Sequence, residues 1–373
     1  MIATVLTNTQ QTTLAKITMK MAELGLEARF VPPVSVGPIV SVYRFLPLNR
    51  TRVSHLEGLC GDLAVVLGVE DVMVKRLPGE SAVAVFVPNT ERQLIHFRDT
   101  VNNVWAKRES MSVPLNFGVD HLGKPFIEDL ATLPHLLVSG STGSGKSTLL
   151  SSILASIVYC CKSDAIQFVL SDTKNVEFGA FIGAPHLVFP PATSVYQTLE
   201  RFDWVQEEME DRLRTLSKSN TRNIFEYSTA FPGKEKLPFI VIVIDELADL
   251  LADRTKPDKG PSIGKIAEMK LAAIVQKSRA AGVYVIAATQ RPSVNVVAGS
   301  IKANFPARLT FRLPSEADSR TVLGYGGAEH LLSRGDCLYQ SPNKPGVARL
   351  HAPYSSMTDI EAAVDAGIHR GGS

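Results

Sequence analysis

Gly140-Ser141-Thr142-Gly143-Ser144-Gly145-Lys146-Ser147 stands directly after the apolar run Leu136-Leu137-Val138 and directly before a helix-like run, Thr148 to Val158. Glycines at this spacing let the backbone curl so that successive N–H groups converge on a phosphate at a helix N-terminus. Lys146 is then placed to reach the β- and γ-phosphates, and Ser147 a magnesium ion. A strand before the loop and a helix after it separate this pattern from a Gly/Ser-rich turn carrying a surface lysine. The stretch predicts an α/β fold that binds a nucleoside triphosphate in mid-chain, through Gly140 to Thr148.

Two later strands add to this. Phe239-Ile-Val-Ile-Val-Ile244 is a β-branched run suited to a central parallel strand buried on both faces, and it ends in Asp245-Glu246. Carboxylates at that end sit where open α/β folds bind ligands. Asp245 is expected to hold the magnesium ion or its water, and Glu246 to orient or deprotonate an attacking water. The competing reading has the acids cap the helix beginning at Leu247. Val283-Tyr-Val-Ile-Ala-Ala288 ends in Thr289-Gln290-Arg291-Pro292, which places Gln290 to feel the γ-phosphate.

With 373 residues and 45% hydrophobic content, the chain can bury a sizeable core in two domains. No run approaches the roughly 18 to 20 apolar residues of a membrane span, and Met1 to Lys20 lacks a secretory pattern, so a cytoplasmic protein without membrane insertion is expected. Cys60, Cys160, Cys161 and Cys337 have neither metal-ligand spacing nor disulfide density, and are read as buried reduced thiols. A net charge of only +2 gives no bulk argument for nucleic acid. Any such site must be a local patch, such as Lys277-Ser-Arg279 or the arginines at 291, 308, 312 and 320. On charge alone these read as solvated surface.

The first part of the chain is less distinctive. Leu14, Ile17, Met21 and Leu24 recur at helical spacing, which predicts a helix over Thr12 to Leu26. Pro32-Pro33 and Gly37-Pro38 read as punctuation before a strand over Ile39 to Leu46, and Val53 to Leu67 reads as one helix. Val72 to Val74 and Ala82 to Val87 are short strand candidates. Pro114, Gly118, Gly123 and Pro125 are expected to interrupt any long element over 111–130, giving domains of 1–112 and 113–373.

Phe239 to His351 resembles the motor domain of the FtsK/SpoIIIE family of double-stranded DNA translocases. The matching segments are Val243 to Leu250 (VIDELADL), Gln276 to Gly282 (QKSRAAG), Ala288 to Val294 (ATQRPSV), Ile301 to Asn304, Asp318 to Leu323 and Gly326 to Leu332 (GGAEHLL). Gly118 to Ser147 is similar to the family's lead-in to the phosphate loop; Asp172-Thr-Lys174 and Arg222-Asn-Ile224 resemble further positions. Gly37 to Asn89 more faintly resembles the small domain that precedes the motor. The resemblance implies a RecA-like P-loop ATPase core behind a smaller N-terminal α/β domain.

It also implies a ring, usually of six subunits, with ATP and Mg²⁺ between neighbours and double-stranded DNA in the pore. Lys146, Ser147, Asp245, Glu246 and Gln290 would act from one subunit. An arginine of the next, Arg308 with Arg320 in reserve, would stabilise the γ-phosphate, an effect of roughly 10³ to 10⁵ in rate. Lys277, Arg279, Arg291 and Arg320 are the expected sequence-independent phosphate contacts to DNA.

Three departures qualify the resemblance. Ser171-Asp172 stands where an Asp-Pro pair is typical, and Arg254 to Ile263 is a longer polar insertion read as a mobile loop. The membrane region and winged-helix module of segregation translocases are not visible, so septal anchoring and sequence-directed polarity are not expected. The alternatives are a viral genome-packaging or plasmid-transfer ATPase of the same superfamily, or a nucleotide-gated scaffold. Glu246 argues against the scaffold, which needs no water-orienting carboxylate.

Overall fold

The computed structural model describes residues 6–371 except 78, 235, 258, 259, 295, 298 and 345. Helix Asn8–Glu23 begins ahead of the expected Thr12 because Thr7 and Gln10 cap it reciprocally. Antiparallel strands β1 (Ala28–Val36), β2 (Val40–Pro47), β3 (Met73–Arg76) and β4 (Val83–Pro88) follow, in the order β1-β2-β4-β3. Pro32 and Pro33 lie inside β1 rather than before the first strand. They are tolerated because β1 is an edge and its register breaks between Val31 and Ser35. The single helix expected over Val53 to Leu67 is two, Val53–Glu57 and Cys60–Leu67, broken at Gly58.

Alternation along these strands buries both faces of the small sheet. Tyr43, Phe45, Val83, Val85 and Val87 pack against the domain's own helices, while Val40, Val42, Met73, Ala84 and Phe86 join the core of the larger domain. Each large apolar side chain so buried contributes about 1.5 to 3 kcal/mol. The small domain is therefore seated on the large one by a continuous apolar seam.

The large domain is built on nine strands: β5 (Pro114–Asp120), β6 (Pro125–Asp129), β7 (His135–Ser139), β8 (Ile166–Ser171), β9 (Phe239–Ile244), β10 (Val283–Thr289), β11 (Ala307–Phe311), β12 (Asp336–Gln340) and β13 (Val347–His351). Their order is β6-β5-β13-β12-β11-β7-β10-β9-β8. β11-β7-β10-β9-β8 is parallel, and β12, β13, β5 and β6 extend it antiparallel. Proline and glycine do not interrupt 111–130 as expected. Pro114 begins β5 and Pro125 begins β6, Gly123 lies in the turn between them, and Gly118, at φ +86°, sits at a break in register.

β9 shows why the parallel strands read as unbroken apolar runs. Val241 and Val243 face a core shared with helix Lys146–Cys160, and Ile240, Ile242 and Ile244 face one shared with helices Val195–Lys218 and Ile263–Lys277. Helix Phe97–Lys107 precedes the boundary expected at 112. Its Phe97, Val101 and Val104 nevertheless pack with Leu115 and Ile153 of the large domain. The final helix, Met357–Gly371, packs on helix Lys146–Cys160.

Candidate nucleotide site

The parallel strands bring three distant segments to one edge. β7 carries the phosphate loop, β10 lies beside it, and β9 lies beyond β10. The loop is tied to its neighbours through its backbone. Gly140 N–H donates to the Thr289 carbonyl at 3.2 Å, Ser141 N–H to that of Arg312 at 3.0 Å, and Gly335 N–H to that of Ser144 at 2.9 Å. A Cβ on Gly140 would come within 2.6 Å of Phe311 Cβ, so only glycine fits. Gly145 caps helix Lys146–Cys160 at φ +114°, a conformation that glycine adopts without steric cost. The first-turn N–H groups, which a helix leaves without internal partners, open on the site together with the positive end of the helix dipole.

Lys146 is only 2% exposed, and its ammonium donates to the Asp245 carbonyl at 2.7 Å and to Asp245 Oδ1 at 2.8 Å. Glu246 is as deeply buried. It caps helix Leu247–Ala252 through the Ala248 N–H, as the competing reading required, and it also reaches β10. Its carboxylate accepts from Thr289 Oγ1 at 2.7 Å and from the Gln290 N–H at 3.0 Å. The helix cap and the contact to β10 thus coincide in one side chain. Lys174 stands 3.9 Å from Glu246 and 3.3 Å from Asp249. The Gln290 side chain accepts from Thr142 Oγ1 at 2.9 Å, which joins β10 to the loop.

The loop, Lys146 and Gln290 open on a cavity of about 630 Å³, within the range of small-ligand sites. Gly143, Lys146, Ser147, Thr148 and Gln290 line one side of it. Ser147 and the neighbouring carboxylate Asp245 are hard oxygen donors. Among the described residues no group of three or more His, Cys, Asp or Glu could hold a metal. The pair suits magnesium, which takes one or two protein oxygens and completes its shell with phosphate and water.

Sequence reasoning missed the far wall. Asp336 binds Arg349 through two bonds of 3.0 and 2.6 Å, both side chains almost wholly buried. His351 Nδ1 lies 3.3 Å from Asp336, yet neither ring nitrogen has a hydrogen-bond partner, and burial holds the imidazole down at about 4. Arg349 also lies 5.2 Å over the Phe86 ring of the small domain. Gly335, which ties this wall to the loop, was the one local signal, and nothing near it in sequence pointed at a nucleotide.

Arg308 donates to the carbonyls of Phe305, Val322 and Lys302, at 3.1, 3.0 and 2.8 Å, with no carboxylate among these acceptors. Arg320 is exposed and pairs with Glu316. Exposed Lys277 and Arg279 precede β10 and Arg291 follows it, so a strand length of about 20 Å separates them. Asp172, one of the departures, is buried and accepts from the N–H groups of Glu177 and Phe178, shaping the turn after β8. The insertion after Asp253 links two helices, and its residues 258 and 259 lie outside the described ones. Cys60, Cys160 and Cys337 are buried, Cys161 is partly buried, and none of the four forms a disulfide. Among the described residues no helix is long and apolar enough to cross a membrane.

The FtsK/SpoIIIE family matches residues 98–294, and the FtsK alpha domain matches 3–89. The chain is 38% identical over 332 residues to the DNA translocase FtsK of Helicobacter pylori, and 35% identical over 378 residues to that of Pseudomonas aeruginosa. Those alignments cover 88% and 95% of this chain, which spans 38% and 45% of the relatives' own lengths. The conjugation coupling protein TcpA of pCW3, solved as a monomer with ATPγS, shares the fold. Its TM-score is 0.67 at 21% identity, over 96% of this chain and 99% of that one.

Proposed function

The chain belongs to the FtsK/SpoIIIE family, and on that premise we propose that it is an ATP-driven motor of the cytoplasm that pumps double-stranded DNA through the pore of a homo-oligomeric ring, of six subunits by analogy. The observation that carries this reading is the convergence of the phosphate loop, Asp245-Glu246 and Thr289-Gln290 on one edge of the parallel strands. Lys146 and the first-turn N–H groups bind the phosphates. Ser147 and Asp245 hold Mg²⁺, which neutralises phosphate charge when bound. Glu246, aimed by Thr289 and the Gln290 N–H, orients the attacking water and takes its proton. Gln290, bonded to the loop at Thr142, sits on the γ-phosphate side.

The neighbouring subunit supplies an arginine. Arg308 is held in place by three carbonyls of its own chain, whereas Arg320 has an exposed ion pair of the kind worth under about 1 kcal/mol and readily exchanged. DNA is held at its phosphates by Lys277, Arg279, Arg291 and Arg320, so affinity falls steeply with salt and each contact removed lowers the salt slope by about one. The test is ATP hydrolysis with and without linear double-stranded DNA, with triplex displacement on the same samples, for wild type and Glu246→Gln. DNA-stimulated hydrolysis and displacement, both lost in the variant, are the expected result. Hydrolysis indifferent to DNA would overturn the motor reading in favour of a protein substrate or a scaffold.

A further inference from the structure

A smaller cavity of about 180 Å³ lies in the seam between the two domains. Glu57, Lys75, Arg76 and Phe86 line it from the small domain, and Tyr325 and Arg349 from the large one. Two of its cations each stand over an aromatic ring of the opposite domain. Lys75 Nζ is 5.5 Å from the centroid of the Tyr325 ring, and the Arg349 guanidinium 5.2 Å from that of Phe86. Such contacts place a cation without consuming its N–H groups. Arg349 is 3% exposed and gives Nε and Nη2 to Asp336, while its buried Nη1 has no hydrogen-bond partner. A charged donor left unpaired in an interior is costly, so it marks a place built for an acceptor. Three cations thus line the cavity against one carboxylate, Glu57, which accepts from the Arg76 N–H at 3.4 Å and lies 3.9 Å from Lys75.

We propose that this cavity binds a small inorganic oxyanion of the phosphate or sulfate type, held by Arg349 Nη1 and the Lys75 ammonium, and that the ion fastens the two domains together. The volume lies below the roughly 300 Å³ at which sites for drug-sized ligands begin, and a water takes about 30 Å³ of the liquid, so an ion with a few waters fills it. Guanidinium and ammonium are the two side-chain cations suited to phosphate, one as a planar fork and the other as a point charge. The seam cavity shares no lining residue with the cavity of the phosphate loop, so the inference stands apart from the nucleotide reading. Because one donor comes from each domain, the ion binds only the seated arrangement and stabilises it by mass action.

The test is calorimetric titration of the full chain with inorganic phosphate, and with sodium chloride at equal ionic strength, with thermal midpoints taken on the same samples. Phosphate should bind wild type saturably and raise its midpoint, where chloride does neither. Lys75→Ala removes a part-exposed side chain, and should weaken this binding about tenfold, the worth of one charge-assisted hydrogen bond, and shrink the rise in midpoint. Lys75→Arg, which keeps the charge, should retain both. Ser147→Ala separates out any phosphate taken up by the loop: the component that depends on Lys75 should survive in it. No saturable binding by wild type, binding that Lys75→Ala leaves unaltered, loss in Ser147→Ala alone, or chloride that matches phosphate would each overturn the seam site.

Discussion

Lys146 meets Asp245 at 2.8 Å with both side chains only 2% and 3% exposed, and Arg312 meets Glu70 across the domain seam at the same 2.8 Å with 34% and 46% exposed. Distance alone would rate the two pairs equal, but solvent does not. A buried ion pair has given up its hydration, so removing one partner strands the other at a cost of about 3 to 5 kcal/mol. A half-exposed pair exchanges a salt contact for water and contributes at most about 1 kcal/mol. The edge that carries the loop therefore depends on single residues. The seam depends on the apolar face beneath its charges, where Val42, Met73, Ala84 and Phe86 are buried.

The sharpest way to break this comparison is Lys146→Ala. It should abolish nucleotide binding and cost about 3 to 5 kcal/mol in urea unfolding, with part of the stability regained by adding Asp245→Asn. A stability loss no greater than that of Arg312→Ala would show that burial does not set the difference. Phe86→Ala removes the seam's apolar anchor and should cost about 3 to 5 kcal/mol by the same measurement.

Two histidines give the comparison a pH axis. His135 starts β7 in the buried core, where Nδ1 accepts from the Val285 N–H and Nε2 donates to the Val275 carbonyl. Burial lowers it from the ordinary 6.5 to about 4. The unfolded chain takes up this proton first, so stability is full above pH 6.5 and falls by about 3 kcal/mol as pH drops through 4. His330 on the seam runs the other way. Asp71, then the Cys60 sulfur, raise it to about 10, so its contribution is complete below pH 6.5 and is lost as pH rises through 10. With His330 part-exposed, the alkaline loss should be much the smaller. Thermal midpoints against pH, for wild type and His135→Gln, read both limbs; an acid limb unaltered in the variant would assign it elsewhere. The smallest effect is expected of Arg312→Ala, under about 1 kcal/mol and shrinking further with salt.

Much of the edge that carries the loop was legible because its parts are local. The phosphate loop lies within one short segment, and Asp245 and Glu246 follow a strand whose composition already declared it buried on both faces. The antiparallel extension was not legible, because Pro114, Gly118 and Pro125 signal breaks locally and are absorbed only by pairing with β6 and β13. The prolines of β1 misled for a similar reason, since an edge position forgives a missing N–H.

By itself the sequence determined the chemistry of the loop, the order of the parallel strands' cargo and the family, since each rests on residues close along the chain whose backbone conformation and polarity are set locally. Tertiary structure alone decided what those residues face. It seated Lys146 on Asp245, from 99 positions away, and bonded Glu246 to Thr289. It also brought Leu94 and Tyr354 to the cavity of a loop that neither adjoins. Burial and charge pairing are properties of a packed interior, and no local pattern carries them.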